Sequence, residues 1–355
     1  MEKRKIVIVG GGVAGLSLAR CLAEKGIDFT LLEEHSKFYM KVCGEGVSAG
    51  QRLSINDLYK STIGFENKID GAILNFPFGK TMKHKGTGYT INKEVFEAEL
   101  SRQAEVLGGE IRMGERVTAL ERKGDAILVH PQEILCRCIV GCDGVFSIVR
   151  RFFKQSLGRV AFVLSGQVKK EKEDHFLKFF FDKQIAPGGY AWRFPKDKTY
   201  NVGVGSLYEF TDGKRCLRYL KGSLKAEKIR GAYIPLYIPL KTFFKGGILI
   251  GDAAPQINYL TGGGINSSIA CANIAGEVLA KIHEQKKEYS EENLKEYENR
   301  WRKVLRWIGF QYRTSILTYR MMARSNIYSL FLSALYPFFR LHSTLKDNSV
   351  LIQSL

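Results

Sequence analysis

The stretch Gly251-Asp252-Ala253-Ala254, continued by Thr261-Gly262-Gly263-Gly264-Ile265-Asn266, follows the apolar strand Gly247 to Ile250 and opens an amphipathic helix predicted to run through Ala280. A strand here ends at a carboxylate, and glycines then present bare backbone N–H groups at a helix start, which suits an anionic ligand. A second turn of this kind, Gly10-Gly11-Gly12-Val13-Ala14-Gly15, stands between the apolar strand Ile6 to Val9 and a helix predicted over Leu16 to Lys25. In this fingerprint Gly10 makes the tight turn, Gly12 admits phosphates and Gly15 lets the helix pack closely. Phe29 to Glu33 reads as a second strand ending in an acid about twenty residues on, where the Glu33 carboxylate is placed to accept ribose hydroxyls. Together the two turns and the acid describe a holder for one extended dinucleotide.

The totals agree with a globular protein of two regions: 355 residues, 45% apolar and 12% aromatic, bury a sizeable core. A net charge of +18 points to an anionic partner such as lipid headgroups, an acidic protein or nucleic acid. No nucleic-acid motif accompanies the charge, so nucleic acid is not expected. Seven cysteines, an odd number, and the start Met1-Glu2-Lys3-Arg4-Lys5 without a secretory apolar region favour a reducing cytoplasm. Cys136, Cys138 and Cys142 straddle a predicted strand without a second ligand pair, so no metal is expected.

The two glycine turns resemble the FAD-binding fold of the p-hydroxybenzoate hydroxylase class, in which an N-terminal Gly-x-Gly-x-x-Gly meets the pyrophosphate and a later Gly-Asp the ribityl chain. Met40-Lys41-Val42-Cys43-Gly44-Glu45-Gly46-Val47-Ser48 narrows the resemblance. It is similar to the Lys/Arg-x-Cys-Gly-x-Gly segment of the geranylgeranyl reductase family, whose archaeal members saturate the isoprenoid chains of membrane lipids. Cys43 matches the family cysteine beside the flavin, and a buried inert thiol is the competing reading. Asn92 to Glu97 resembles the Arg-x-x-Phe-Asp segment, with Lys93 in place of arginine and Glu97 in place of aspartate. Ile139 to Ser147 matches Gly-x-Asp-Gly-x-x-Ser, and Asp143 either reaches the cofactor region or caps the helix that follows. The resemblance implies that FAD is lined by Gly10, Gly12, Ala14, Gly15, Glu33, Cys43, Gly44, Gly46, Lys93, Val117, Asp252, Gly263, Gly264 and Ile265.

Between these segments the pattern changes to strand-like alternation, at Ile69 to Ile91 and again at Val160 to Phe181 and Tyr190 to Tyr208. In Tyr190-Ala191-Trp192-Arg193-Phe194-Pro195 the period of two puts Tyr190, Trp192 and Phe194 on one face, and Pro195 ends the strand. The string, with seven residues and then Gly203-Val204-Gly205, matches the Tyr-x-Trp-x-Phe-Pro, seven residues, Gly-x-Gly signature of geranylgeranyl reductases. By resemblance, Tyr190, Trp192, Phe194, Gly203 and Gly205 contact substrate. Tyr259 stands where relatives usually carry proline, which is expected to reshape its loop.

The expected architecture is therefore α/β, a Rossmann-type FAD-binding domain with an inserted antiparallel-sheet substrate domain and a C-terminal helical region. FAD-binding segments are expected at 1–68, 92–158 and 241–285, substrate-sheet segments at 69–91 and 159–240, and a basic helical region at 286–355. In the last, Tyr297, Trp301, Leu305, Ile308, Tyr312 and Ile316 share one side of a predicted long helix, with Arg302, Arg306, Arg313, Arg320 and Arg324 near another. Ile327 to Phe339 is an apolar run too short for the roughly twenty residues of a membrane-crossing helix.

The implied activity is an FAD-dependent reductase of polyprenyl double bonds on a membrane lipid or a quinone, with ferredoxin or NAD(P)H as electron donor. An isolated alkene accepts hydride poorly, so protonation accompanies hydride delivery, and Cys43 is the candidate catalytic proton donor or relay. Location is expected at the inner face of the cell membrane, through anionic lipids. A flavin monooxygenase or halogenase is the alternative, since halogenases carry a related Trp-x-Trp-x-Ile-Pro.

Overall fold

A computed structural model describes residues 1–50, 53–306 and 308–326. The chain shuttles between two sheets. It begins in the first with β1 (Glu2–Val9), crosses through α1 (Val13–Glu24) to β2 (Phe29–Glu33), and places β3 (Gly46–Ser48) in the second. After α2 (Ile55–Tyr59), the hairpin β4 (Phe65–Asn75) and β5 (Thr81–Ile91) extends the second sheet. Helix α3 (Lys93–Val106) leads back to β6 (Glu110–Met113), β7 (Ala119–Lys123), β8 (Ala126–His130) and β9 (Ile134–Gly141). A short α4 (Ile148–Phe152) leads out again to β10 (Val160–Lys169), β11 (Phe176–Phe180), β12 (Gly189–Pro195) and β13 (Thr199–Leu207). The short α5 (Gly213–Leu217), prolonged by a π-helical turn, precedes β14 (Glu227–Pro235). The last return is β15 (Phe243–Phe244), β16 (Gly247–Leu249), α6 (Ile265–Glu284), α7 (Glu291–Val304) and α8 (Ile308–Arg324).

In the first sheet the order β15-β16-β9-β1-β2-β6 has β1 parallel to both β2 and β9. Ile6, Val7 and Ile8 are fully buried, as expected of a strand covered on both faces. Helices α1 and α6 meet where Gly276 leaves room for Cys21; a Cβ on Gly276 would lie 2.4 Å from its Sγ. The second sheet runs β14-β10-β13-β12-β11-β4-β5-β3. This is the α/β architecture expected, with FAD-type and substrate-type sheets.

Four details differ from expectation. The second sheet is not wholly antiparallel, because β11 pairs parallel with β4, joining strands from different passes of the chain. It also takes in β3, from inside the 1–68 segment, and β4 from Phe65 onward: Gly46 and Val47 pair with Thr90 and Tyr89. Finally, the predicted long helix is two. Between α7 and α8 the chain turns at Leu305, while Trp301 donates to Thr242 Oγ1 at 2.9 Å and Tyr297 and Trp301 sit fully buried in the core of α1 and α6. Apolar spacing runs on across the turn, because both helices bury a face against the same core. Nor are the arginines a uniform exposed face: Arg302 pairs with Glu298 at 3.0 Å and Arg320 with Glu209 at 3.1 Å. Ile327 to Phe339 lies outside the described residues.

Candidate active site

Both glycine turns open on one cavity of about 1170 Å3 between the sheets. At the first, a Cβ on Gly10 would meet the Cys142 carbonyl at 2.5 Å, and one on Gly15 would meet the Gly10 carbonyl at 1.9 Å, so neither tolerates a side chain. Gly12 instead faces open space. It is the N-cap of α1, which has no side-chain cap and no acid in its first turn. Gly264 stands likewise at the uncapped start of α6. Two helices of 12 and 20 residues thus aim their unsatisfied N–H groups and positive dipole ends into the same space. The turns abut, since a Cβ on Gly251 would lie 2.9 Å from that of Ala14. A cradle that side chains would fill, lined by two bare helix N-termini, fits the pyrophosphate and ring system of FAD.

Glu33 closes the cavity beside the first glycine turn. Its Oε2 accepts from the Gly11 N–H at 2.5 Å and its Oε1 from the His35 N–H at 2.9 Å, and the Glu33 carbonyl accepts from the Glu115 N–H at 2.7 Å, which brings Val117 to the same wall. Asp252, Gly263 and Ile265 line the cavity at the other turn, where Asp252 pairs with Lys41. That loop is braced from behind: Gln256 Oε1 accepts from the Gly251 N–H at 2.9 Å, and Gln256 Nε2 donates at 2.8 Å to Tyr297, whose hydroxyl donates to the Leu249 carbonyl. Tyr259 is fully buried, donating to the carbonyls of Tyr237 at 2.6 Å and Pro255 at 2.9 Å. Both readings of Asp143 hold: it lines the cavity, and its Oδ2 accepts from the Ile148 N–H at 2.6 Å and the Val149 N–H at 3.3 Å as a cap.

The opposite wall is aromatic. Tyr190, Trp192 and Phe194 project from β12 into the cavity, and Phe179 of β11 packs edge-on to Tyr190 at 5.4 Å and to Phe194 at 5.1 Å. Gly205, opposite Tyr190, lines the cavity too. Gly203 does not, against expectation. It lies across from Trp192, and a Cβ there would stand 2.0 Å from the indole, so its part is to vacate the space the ring fills.

Cys43 lines the cavity between cofactor cradle and aromatic wall. Gly44 lets the segment lie flat on that wall, since a Cβ there would meet the Phe194 ring at 3.0 Å; Gly46 leaves 3.5 Å to Leu177. The Sγ accepts from the Glu45 N–H at 3.3 Å, and burial pushes the thiol pKa up, partly offset by Lys93. Lys93 lines the cavity, and its ammonium already has partners within the protein. It pairs with Glu97 at 2.8 Å and donates to the Lys41 carbonyl at 3.3 Å, because a buried cation requires an adjacent anion.

Beneath Cys43 lies a polar hub that the sequence reading missed. Glu45, 1% exposed and left-handed at φ 62°, accepts from Lys196 Nζ at 2.7 Å, Asn201 Nδ2 at 2.9 Å and the Lys93 N–H at 3.0 Å. Asn201 also donates to the Cys43 carbonyl at 2.8 Å and accepts from Trp192 Nε1 at 2.9 Å and Ser165 Oγ at 2.9 Å. The available signal was an acid between two glycines, with Lys196 and Asn201 inside the seven-residue spacer after Pro195.

Known proteins resemble the chain in both regions. A family model described as geranylgeranyl reductase catalytic domain matches residues 162–234, and one described as FAD dependent oxidoreductase matches residues 5–46. The digeranylgeranylglycerophospholipid reductase of Methanocaldococcus jannaschii is 30% identical over 343 residues, covering 89% of this chain and 85% of that protein. Digeranylgeranylglycerophospholipid reductase 2 of Methanopyrus kandleri is 31% identical over 327 residues, covering 83% and 81%. Among solved structures, a geranylgeranyl bacteriochlorophyll reductase-like protein from Thermoplasma acidophilum shares the fold at TM-score 0.73, with 20% identity and 92% of each chain covered.

Proposed function

The chain belongs to the digeranylgeranylglycerophospholipid reductase family of FAD-dependent oxidoreductases, and on that premise we propose that it saturates the prenyl double bonds of a geranylgeranyl membrane lipid. The observation that carries this reading is the meeting of two uncapped helix starts, Cys43 and the Tyr190-Trp192-Phe194 wall around one cavity. FAD, when bound and reduced, supplies the hydride. Gly10, Gly12 and Ala14 would hold its pyrophosphate, with Gly15, which does not line the cavity, packed behind Gly10; Glu33 would hold its adenosine ribose, and Asp252 with Gly263, Gly264 and Ile265 its flavin half. The start of α6 favours negative charge there. The three aromatic rings exclude water and turn π-faces to the positive charge that develops as an alkene carbon is protonated. Cys43 Sγ, kept protonated by burial, holds a proton at the boundary between cradle and wall. Hydride and proton together add two hydrogens per double bond. NAD(P)H or ferredoxin is the proposed source of electrons.

A phospholipid fits this reading better than a quinone because the chain is strongly basic, with a net charge of +18. Among the described residues no helix is long and apolar enough to cross a membrane, and we place the protein peripherally on an anionic leaflet at its cytoplasmic face. The deciding experiment is anaerobic turnover. Reduced holoprotein mixed with digeranylgeranyl phospholipid should be reoxidised while mass spectrometry of the lipid finds two hydrogens gained per bond. Product that forms only with oxygen and carries an inserted oxygen or halogen would replace the reductase by a monooxygenase or halogenase.

A further inference from the structure

Strands β4 and β11 run parallel and finish level, Asn75 opposite Phe180, so the β4–β5 turn and the β11–β12 turn lie at one end of the second sheet. They are joined there: the Phe181 N–H donates to the Asn75 carbonyl at 2.9 Å, and the rings of Phe76 and Phe181 stack at 5.2 Å. The β11–β12 turn in turn holds the end of α8. The Lys183 N–H donates to Asn326 Oδ1 at 2.9 Å, and Lys183 Nζ donates to the Arg324 carbonyl at 3.2 Å. From α5, Arg215 reaches the Lys183 carbonyl at 3.3 Å.

This end presents an unusual surface. Phe78, in the β4–β5 turn, is 78% exposed and held in a left-handed conformation, φ 61°, that a phenylalanine rarely adopts. Lys80, Lys83, Lys214 and Arg324 carry no ion pair with a carboxylate among the described residues. The nearby acids are otherwise engaged. Asp182 Oδ1 accepts from the Gln184 N–H and from Asn326 Nδ2, and Asp212 caps α5. The cavity reaches the inner side of the same end at Gly188, Gly189 and Tyr319. The described chain stops here, at Asn326, and its sequence continues into the apolar run Ile327 to Phe339.

We propose that this end of the second sheet is the face that docks on an anionic lipid bilayer, with Phe78 as an interfacial anchor and Lys80, Lys83 and Lys214 as headgroup contacts. The proposal rests on the prenyl-lipid reading above and adds to it the surface and the orientation. An exposed aromatic side chain at the same sheet end as lysines without a carboxylate partner, of which Lys83 also lies 4.1 Å over the Phe176 ring, suits the polar–apolar boundary of a leaflet. Cavity and docking face then share one end, so a prenyl chain has a short way from leaflet to aromatic wall.

The test uses full-length, FAD-loaded protein sedimented with phosphatidylglycerol-containing or pure phosphatidylcholine vesicles. Wild type should bind the anionic vesicles, release as salt rises, and bind neutral ones more weakly. Phe78→Ser should weaken anionic-vesicle binding on the order of tenfold, and replacing Lys80, Lys83 and Lys214 by glutamine on the order of fivefold per lysine at low salt. Both variants should retain turnover of a short, detergent-dispersed prenyl substrate, which reads the reductase chemistry separately. Variants that bind vesicles as tightly as wild type would overturn the docking face. So would variants that bind normally yet accept electrons more slowly from an acidic protein donor, which would assign the surface to that donor. A wild type that ignores anionic vesicles but turns over the dispersed substrate would overturn the docking face and leave the reductase standing.

Discussion

Asn201 donates to the carbonyl of Cys43 at 2.8 Å, so a residue of β13 fixes the backbone of the segment that carries the candidate proton donor. The same amide accepts from the indole of Trp192 and donates to Glu45. One buried side chain therefore ties the thiol segment to the aromatic wall, and reaches the start of α3 through Glu45, which accepts from the Lys93 N–H.

Asn201→Ala should leave FAD bound and lower stability by about 1–3 kcal/mol, because the buried donors and acceptors it serves lose their partner. Product analysis should show a changed pattern of saturated bonds. Unchanged denaturant midpoint and unchanged products would remove Asn201 from any positioning role.

Gly203→Ala tests the vacated space behind Trp192. With backbone fixed at a strand, the new methyl and the indole cannot coexist, and overpacking of this sort costs about 1–3 kcal/mol. The intrinsic fluorescence of Trp192 should shift while the flavin spectrum of the bound cofactor does not. A stable variant with wild-type emission would mean that the ring has room to yield.

Glu33→Ala should weaken FAD retention on the order of 10- to 100-fold, the loss of a charged hydrogen-bond acceptor worth about 1.5–3 kcal/mol. Part of that loss falls on the Gly11 N–H, which the carboxylate also serves. Flavin that survives dialysis as in wild type would dismiss the ribose role.

Cys43 should alkylate with iodoacetamide on a shifted pH curve. The thiolate is the nucleophile, and burial raises the folded pKa, so the rate at neutral pH should fall below that of the same thiol in the unfolded chain. It should then climb only at a pH above the ordinary thiol value of about 8.5. Rates mapped by mass spectrometry can be assigned cleanly, because the other six cysteines are buried. A midpoint below the ordinary value would show that the Lys93 charge outweighs burial.

What was legible in the sequence was local. The Gly10 and Gly12 turn, the acid at Glu33 and the alternation of Tyr190, Trp192 and Phe194 each state their geometry within a few residues, and each lines the cavity. Gly203 was misassigned because a glycine signature does not say whether the space it leaves admits a ligand or a neighbour's ring. The pairing of Lys93 with Glu97, one helical turn on, was visible as a spacing, but not that both would be buried together beside the cavity. The hub joins Glu45 to Lys196 and Asn201, more than 150 positions away from it, and has no periodicity to betray it. The break between α7 and α8 was hidden by apolar spacing that stays continuous while the chain changes direction.

The parallel seam between β4 and β11 also bears on how the protein is made. Phe176 to Phe180 lies about a hundred residues after the strand it completes, so during synthesis the edge of β4 stays open until much of the chain has left the ribosome. Non-local pairing of that kind is slow, since the intervening loop must close before any ladder bond rewards it. A chain stalled before Phe176 would offer Gly71 to Asn75 as an unpaired template, and misfolding should begin at this seam, far from the glycine turns that dominate the sequence.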